Sequence, residues 1–206
     1  MKSKYFKYQK IDPSLLKELI NIDHKIAQYI DLNQPFYFRI MPNHFHCLVH
    51  TIVSQQLSNA AVDAIWTKLT NKFKKINPKV IANASLETLR DIGFSENKIK
   101  CLKQISYDIC DKKLNLKKIE KLPNEKIYAI LTKYHNIGNW SVDMLLIFSY
   151  YRNNIISYSD YGIKKGLKIL YSVNQINQTL IDNVAKKFGN HLTLFSLVLW
   201  KISNNN

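Results

Sequence analysis

The chain has 206 residues, of which 46% are hydrophobic, enough for one sizeable domain or two small interlocked ones around a buried core. Thirty Lys and Arg against fifteen Asp and Glu give a net charge of +15, and lysines at 72, 74, 75, 79, 98, 100, 103, 164, 165 and 168 spread it along the chain. This balance points to a polyanionic partner, the competing explanation being a coding bias towards Lys, Asn and Ile. No uninterrupted apolar run approaches the ~20 residues of a membrane span, and "MKSKYFKYQK" at the start lacks an apolar signal core. Cys47, Cys101 and Cys110 are an odd number without paired close spacing, so the expectation is structural thiols in a reducing, cytoplasmic compartment, without a zinc or iron-sulfur site.

In chain order, Asp12-Pro13 is a cap and first-turn proline ahead of Leu15, Leu16, Leu19 and Ile20, which predicts a first helix. The apolar stretch "FYFRI" at 36–40 reads as extended, but prolines 35 and 42 bound it and one strand makes no sheet. Phe45, Leu48, Val49, Ile52 and Val53 form a helical stripe, and after Ser58 a second runs through Val62, Ile65, Trp66, Leu69 and Phe73, so two helices flank "SQQLSN". His44, His46 and His50 lie close together without a nearby acid, which favours solvent or phosphate contact over metal binding. Further helices are marked by Leu86, Leu89 and Ile92 ending at Gly93, by Ile99, Leu102, Ile105 and Ile109, and by Ile127, Ile130, Leu131 and Tyr134. The pattern predicts an all-α protein without internal repeats.

Residues 131–148, "LTKYHNIGNWSVDMLLIF", place a tight turn at His135 to Gly138 between two amphipathic helices. Asn136 tolerates positive φ, Gly138 lets backbone approach a ligand, and the outward amides that open the second helix can hold a phosphate. About twenty residues on, "SYSDYGIKKGL" sets Asp160 ahead of Ile163, Leu167 and Leu170. By pattern alone Asp160 is a helix N-cap. Trp140, Met144 and Trp200 lie at helical spacing and read equally as core, and Gln56 reads equally as a helix-junction cap.

"NIGNWSVDMLL" resembles a helix-hairpin-helix, and with "SDYGIKKGL" it is similar to the hairpin, Gly-rich loop and Asp arrangement of that DNA glycosylase superfamily. "HFHCLVHTIVSQQLSNAAVDAIWTKL", residues 44–69, resembles a segment of the 3-methyladenine DNA glycosylase II branch, and "LTLFSLVLWKI" its last core helix, so residues 40–202 carry the resemblance. It implies one domain over 1–206, a two-lobed helix-hairpin-helix glycosylase fold with a central cleft, acting as a monomer on double-stranded DNA with alkylated bases.

The implied activity is excision of alkylated purines of the 3-methyladenine and 7-methylguanine type after extrusion from the stack. Asp160 would be the catalytic acid, and Trp140, Met144, Trp200 and Tyr161 would line the base pocket. Gln56 would plug the vacated stack, with Gln55, Ser58, Ile137, Gly138, Asn139 and Lys164 contacting DNA. Strand-cleaving members carry a lysine where this chain has Trp140, so the implied enzyme is monofunctional with water as nucleophile. No cofactor is required. The resemblance allows Na+ or K+ at the carbonyls of Thr132, Tyr134 and Asn136, although His135-Asn136 replaces the usual Pro-Gly, and "FGNHLTLFS" lacks the Pro and Arg common before the last helix. A catalytically silent protein that binds damaged or distorted DNA is the alternative.

Overall fold

The computed structural model describes residues 5–205. In chain order, strand β1 (Lys7–Lys10), helix α1 (Pro13–Ile22), a 3-10 turn (His24–Gln28) and strand β2 (Tyr37–Ile40) come first. Next are α2 (His44–Ser54), α3 (Asn59–Lys72), α4 (Pro78–Asn83), α5 (Leu86–Ile92), α6 (Glu96–Cys110), α7 (Leu116–Ile119), α8 (Asn124–Leu131) and α9 (Asn139–Phe148). The chain closes with α10 (Tyr161–Tyr171), α11 (Gln178–Phe188), a 3-10 turn (Gly189–His191) and α12 (Leu192–Asn204). Met41–Tyr150 forms one compact unit, and the segments before and after it form a second.

The helix boundaries follow local chemistry. Asp12 accepts from Ser14 N ahead of Pro13, Asn43 from His46 N, and Ser58 from Ala61 N, each occupying an amide that the first turn leaves open. Gly93 ends α5 at φ 112°, a left-handed cap that a side chain would strain. The helix before the hairpin stops at Leu131, short of the expected Tyr134, whose hydroxyl instead donates to Asp108 at 2.8 Å.

In the Met41–Tyr150 unit α2 is the central helix. Phe45, Cys47, Leu48, Val49, Ile52 and Val53 are all buried, and α2 packs on α9, α3 and α6. A helix covered on so many sides must satisfy its polar groups internally. That accounts for the three histidines, which are struts and not the solvent or phosphate contacts expected. His44 bonds Ser149 Oγ at 2.9 Å and meets Glu120 at 3.2 Å, His46 donates to the Ile76 carbonyl at 2.6 Å, and His50 packs edge-on against Trp66.

In the other unit α10 lies against α12. A Cβ on Gly166 would stand 2.4 Å from the Leu199 carbonyl oxygen, so only glycine permits this approach. Ile163, Leu167, Leu170, Phe195, Val198 and Leu199 fill the seam, and Phe188 of α11 stacks on Phe195 at 3.8 Å. Asp23, nearly buried, ties three elements together by accepting from Tyr171 Oη at 2.9 Å, Lys187 Nζ at 2.8 Å and Lys25 N at 3.1 Å. Burial pushes its carboxyl up, but the bonds from Lys187, Tyr171 and the Lys25 amide outweigh this and hold it below the ordinary 3.8.

One expectation needs correction. Residues 37–40 do form a sheet, as an antiparallel ribbon with Lys7–Lys10, prolonged by Ile11 N donating to the Phe36 carbonyl at 2.9 Å. "KYQK" has no apolar alternation and is exposed throughout, so backbone pairing forms this strand with no side-chain pattern to announce it.

Candidate active site and nucleic-acid interface

The hairpin sits between α8 and α9. Asn136 takes φ 66°, Ile137 is buried, and Gly138 is the N-cap residue of α9, which has no side-chain cap. Gly138 has extended backbone open to any residue, and a Cβ there would meet nothing within 4 Å. Neither dihedral strain nor internal packing therefore calls for glycine. Asn139, on the same rim, is exposed.

Gln55 braces this turn from the end of α2. Its Nε2 donates to the Asn136 carbonyl at 2.8 Å and to Ser141 Oγ at 3.0 Å, while Asn136 Nδ2 returns a bond to Gln55 Oε1 at 2.7 Å. Lys98 extends the brace, donating to the carbonyls of Val53 and Gln55, both at 2.9 Å, and burial lowers its pKa. On the far side Tyr128 donates to the carboxylate of buried Asp143, which joins α8 to α9; burial and that carboxylate raise the Tyr128 pKa. From the braced corner the chain leaves through Gln56, at φ 57°, and Leu57, both exposed, before Ser58 caps α3.

In the other unit Asp160 is the N-cap of α10, its Oδ1 accepting from Ile163 N at 2.9 Å. The same oxygen accepts from Trp200 Nε1 at 2.8 Å, across from α12. A Cβ on Gly162 would lie 2.7 Å from Trp200 Cδ1 and 3.2 Å from both Trp200 Nε1 and Asp160 Oδ1. The glycine makes room for the indole to reach the carboxylate. Tyr161 is 81% exposed beside it, and Lys164 is exposed one turn on.

Residues 49–190 match the family described as HhH-GPD superfamily base excision DNA repair protein. The chain belongs to the HhH-GPD superfamily. It is 34% identical over 137 residues to DNA-3-methyladenine glycosylase 1 of Schizosaccharomyces pombe, a match covering 63% of this chain and 58% of that relative. Among solved structures it resembles the DNA-3-methyladenine glycosidase of Bacillus halodurans, with TM-score 0.77, 27% identity, and 96% and 92% of the two chains covered. It also resembles a 3-methyladenine DNA glycosylase of Schizosaccharomyces pombe in complex with abasic DNA, with TM-score 0.75, 25% identity, and 93% and 94% covered.

Within this HhH-GPD chain the expected site residues fall into three groups. Ile137, Gly138, Asn139, Gln55 and Gln56 gather around the braced hairpin, whereas the Gln55 amide, expected at DNA, is engaged within the protein. Asp160 and Trp200 are in direct contact, with Tyr161 adjoining. Trp140, half-buried, and Met144, buried, lie one turn apart on α9. A cavity of about 450 Å³ in the Met41–Tyr150 unit, lined by Pro42, His44, Phe45, Ile109, Lys112 and Leu116 among others, contains none of these residues.

At this turn the Asn136 carbonyl accepts from the Gln55 amide and the Tyr134 carbonyl accepts from Ile137 N at 3.1 Å, each oxygen keeping a second lone pair. Among the described residues no group of three or more His, Cys, Asp or Glu is placed to hold a metal ion.

Sequence reasoning missed Gly162, Lys98 and Leu57. A glycine two residues after a capping Asp, in a first turn where glycine is unfavourable, was the available signal for the first. Nothing local marks Lys98, whose acceptors lie more than forty residues away.

Proposed function

We propose that the chain is a monofunctional DNA N-glycosylase that extrudes alkylated purines of the 3-methyladenine and 7-methylguanine type and hydrolyses their glycosidic bond, acting as a monomer of one domain. The observation that carries this reading is the Asp160 carboxylate, set at the start of α10 and held through Oδ1 by Ile163 N and Trp200 Nε1. Both donors act on one oxygen and fix the group's direction, and a helix N-terminus favours negative charge. A fixed carboxylate is suited to oppose positive charge that develops on a sugar.

In the proposed reaction the C1′–N bond breaks and its electron pair goes to the base. An alkylated purine is already cationic, so it departs neutral without an added proton. The oxocarbenium-like sugar faces Asp160, and a water directed by the carboxylate forms the new C–O bond at C1′ and releases a proton. Trp200 and Tyr161 offer ring faces beside Asp160, and Trp140 and Met144 on α9 are proposed as further contacts of a cationic base. Position 140 holds no amine, which supports water over a Schiff base as the attacking group.

DNA binding is assigned to the hairpin. Its glycine has no internal cause, and the backbone at Gly138 and Asn139 opens a helix, a geometry suited to a phosphate. Lys164 supplies a further cation. Gln56 enters the space left by the extruded nucleotide, and exposed Leu57 is an apolar wedge next to it, with Ser58 at the same rim. Because Gln55 already holds the turn, no step requires a monovalent cation at Thr132, Tyr134 and Asn136.

The test is release of free base from methylated duplex DNA, measured beside a mobility shift. The proposal expects both binding and liberated 3-methyladenine or 7-methylguanine. A protein that shifts the DNA and frees no base would be a binding module, and the assignment would fall.

A further inference from the structure

The ribbon of β1 and β2 has a face that the glycosylase reading does not use. In its register Tyr8 pairs with Arg39 and Lys10 with Tyr37. Directly opposed residues in an antiparallel pair share a face, and alternate residues of one strand share it too. Tyr8, Lys10, Tyr37 and Arg39 therefore lie together on one side, with Lys7, Gln9, Phe38 and Ile40 on the other. Tyr8 is 63% and Tyr37 57% exposed, among the most exposed large apolar side chains of the described residues. Arg39 stands over the Phe6 ring, 4.5 Å from its centroid, which extends the same face by one more aromatic.

We infer that this face is an auxiliary binding site for single-stranded DNA. Two aromatic rings alternate with two cations on one face of the ribbon, the combination that stacks bases and neutralises the phosphates between them. The tyrosines stand diagonally across the pair, about 7 Å apart, within reach of adjacent nucleotides in an extended strand. Duplex DNA does not satisfy this chemistry, because its base faces are already covered by neighbouring base pairs. The charge agrees, since at +15 the whole chain attracts a polyanion and this face adds no acid to oppose it.

The test uses the full chain and a fluorescein-labelled dT10, read by anisotropy at fixed salt. Tyr8→Ser with Tyr37→Ser should weaken dT10 binding on the order of tenfold or more, while Tyr8→Phe with Tyr37→Phe keeps it within about twofold, because a phenyl ring still stacks. Affinity for a blunt undamaged duplex should not change in either variant. Lys10→Gln with Arg39→Gln should lower the slope of log affinity against log salt for dT10 by about 1.4, the single-strand value for two phosphates. In parallel, an oligonucleotide carrying 5-iodouracil, irradiated on the wild-type chain, should cross-link to Tyr8 or Tyr37. Wild-type dT10 affinity in the serine pair, an equal loss of duplex binding, or cross-links confined to other residues would overturn the inference. Tighter capture of a U10 RNA through the same tyrosines would also overturn it, assigning the face to RNA.

Discussion

Gly162→Ala separates the geometry of the Asp160 carboxylate from the stability of the fold. The added Cβ would stand 2.7 Å from Trp200 Cδ1, where ordinary contact begins at 3.4 Å, so the indole must retreat by about 0.7 Å. A retreat of that size along the bond stretches the Trp200 Nε1 to Asp160 Oδ1 distance from 2.8 Å to about 3.5 Å, the edge of a hydrogen bond. A bond to a charged group contributes about 1.5–3 kcal/mol, less for a half-buried one, which corresponds to a drop of about tenfold in single-turnover excision if the contact aims the carboxylate. Alanine meanwhile favours the helix by up to about 1 kcal/mol, so thermal stability should change little. The assay is release of 7-methylguanine under saturating enzyme, beside a melting curve. Trp200→Phe, which removes the donor and leaves Gly162 its space, should lower the rate in the same direction. Wild-type excision by a folded Gly162→Ala protein would show that the contact does not set the chemistry.

Three further outcomes are expected. Gly138→Asp keeps a favoured N-cap in a position with open space, so melting should hold or rise slightly, while duplex affinity drops about tenfold or more as the carboxylate meets phosphate; unchanged affinity would remove the hairpin from the interface. Gln55→Leu strips three bonds from the turn and should cost about 2–3 kcal/mol in stability together with duplex affinity, whereas replacing K+ by Na+ in the wild type should matter little; a strong dependence on the cation would contradict the brace. The Asp23 carboxyl is held below 3.8, so its stabilisation is fully present above that value and fades as pH falls through its lower folded value. Asp23→Asn should therefore lower the melting temperature at neutral pH and flatten its decline below about pH 4, and an unchanged acid limb would show that another group controls it.

What the sequence made legible was local. Asp12-Pro13, Ser58 and Gly93 mark helix ends because capping involves residues two to four apart, and Asn136 was recognisable since few side chains accept its φ. Asp160 illustrates the limit of such reading. Its capping role follows from "SDYGI", but the bond from Trp200 joins residues 40 apart in sequence, and the purpose of Gly162 exists only in that contact. Gln55 is similar, since its partners are 81 and 86 residues away, and a polar side chain in a junction looks solvent-facing until the other side of the bond is placed. The histidines of α2 were misjudged for the same reason, with acceptors supplied by Ile76 and Ser149. Helix α11, by contrast, was legible in full, since Leu180, Ile181, Val184 and Phe188 stand at i, i+1, i+4 and i+8, and Val184 and Phe188 of that stripe are buried.

The central claim is that Asp160 is a catalyst as well as a cap, and Asp160→Asn isolates the two roles. Asparagine is a comparable N-cap of nearly the same shape, so folding should survive. Loss of the charge that opposes an oxocarbenium-like sugar should slow single-turnover release of 3-methyladenine or 7-methylguanine by about 10²-fold or more, while DNA affinity holds or tightens. Near-normal base release by a folded Asp160→Asn protein would contradict the account.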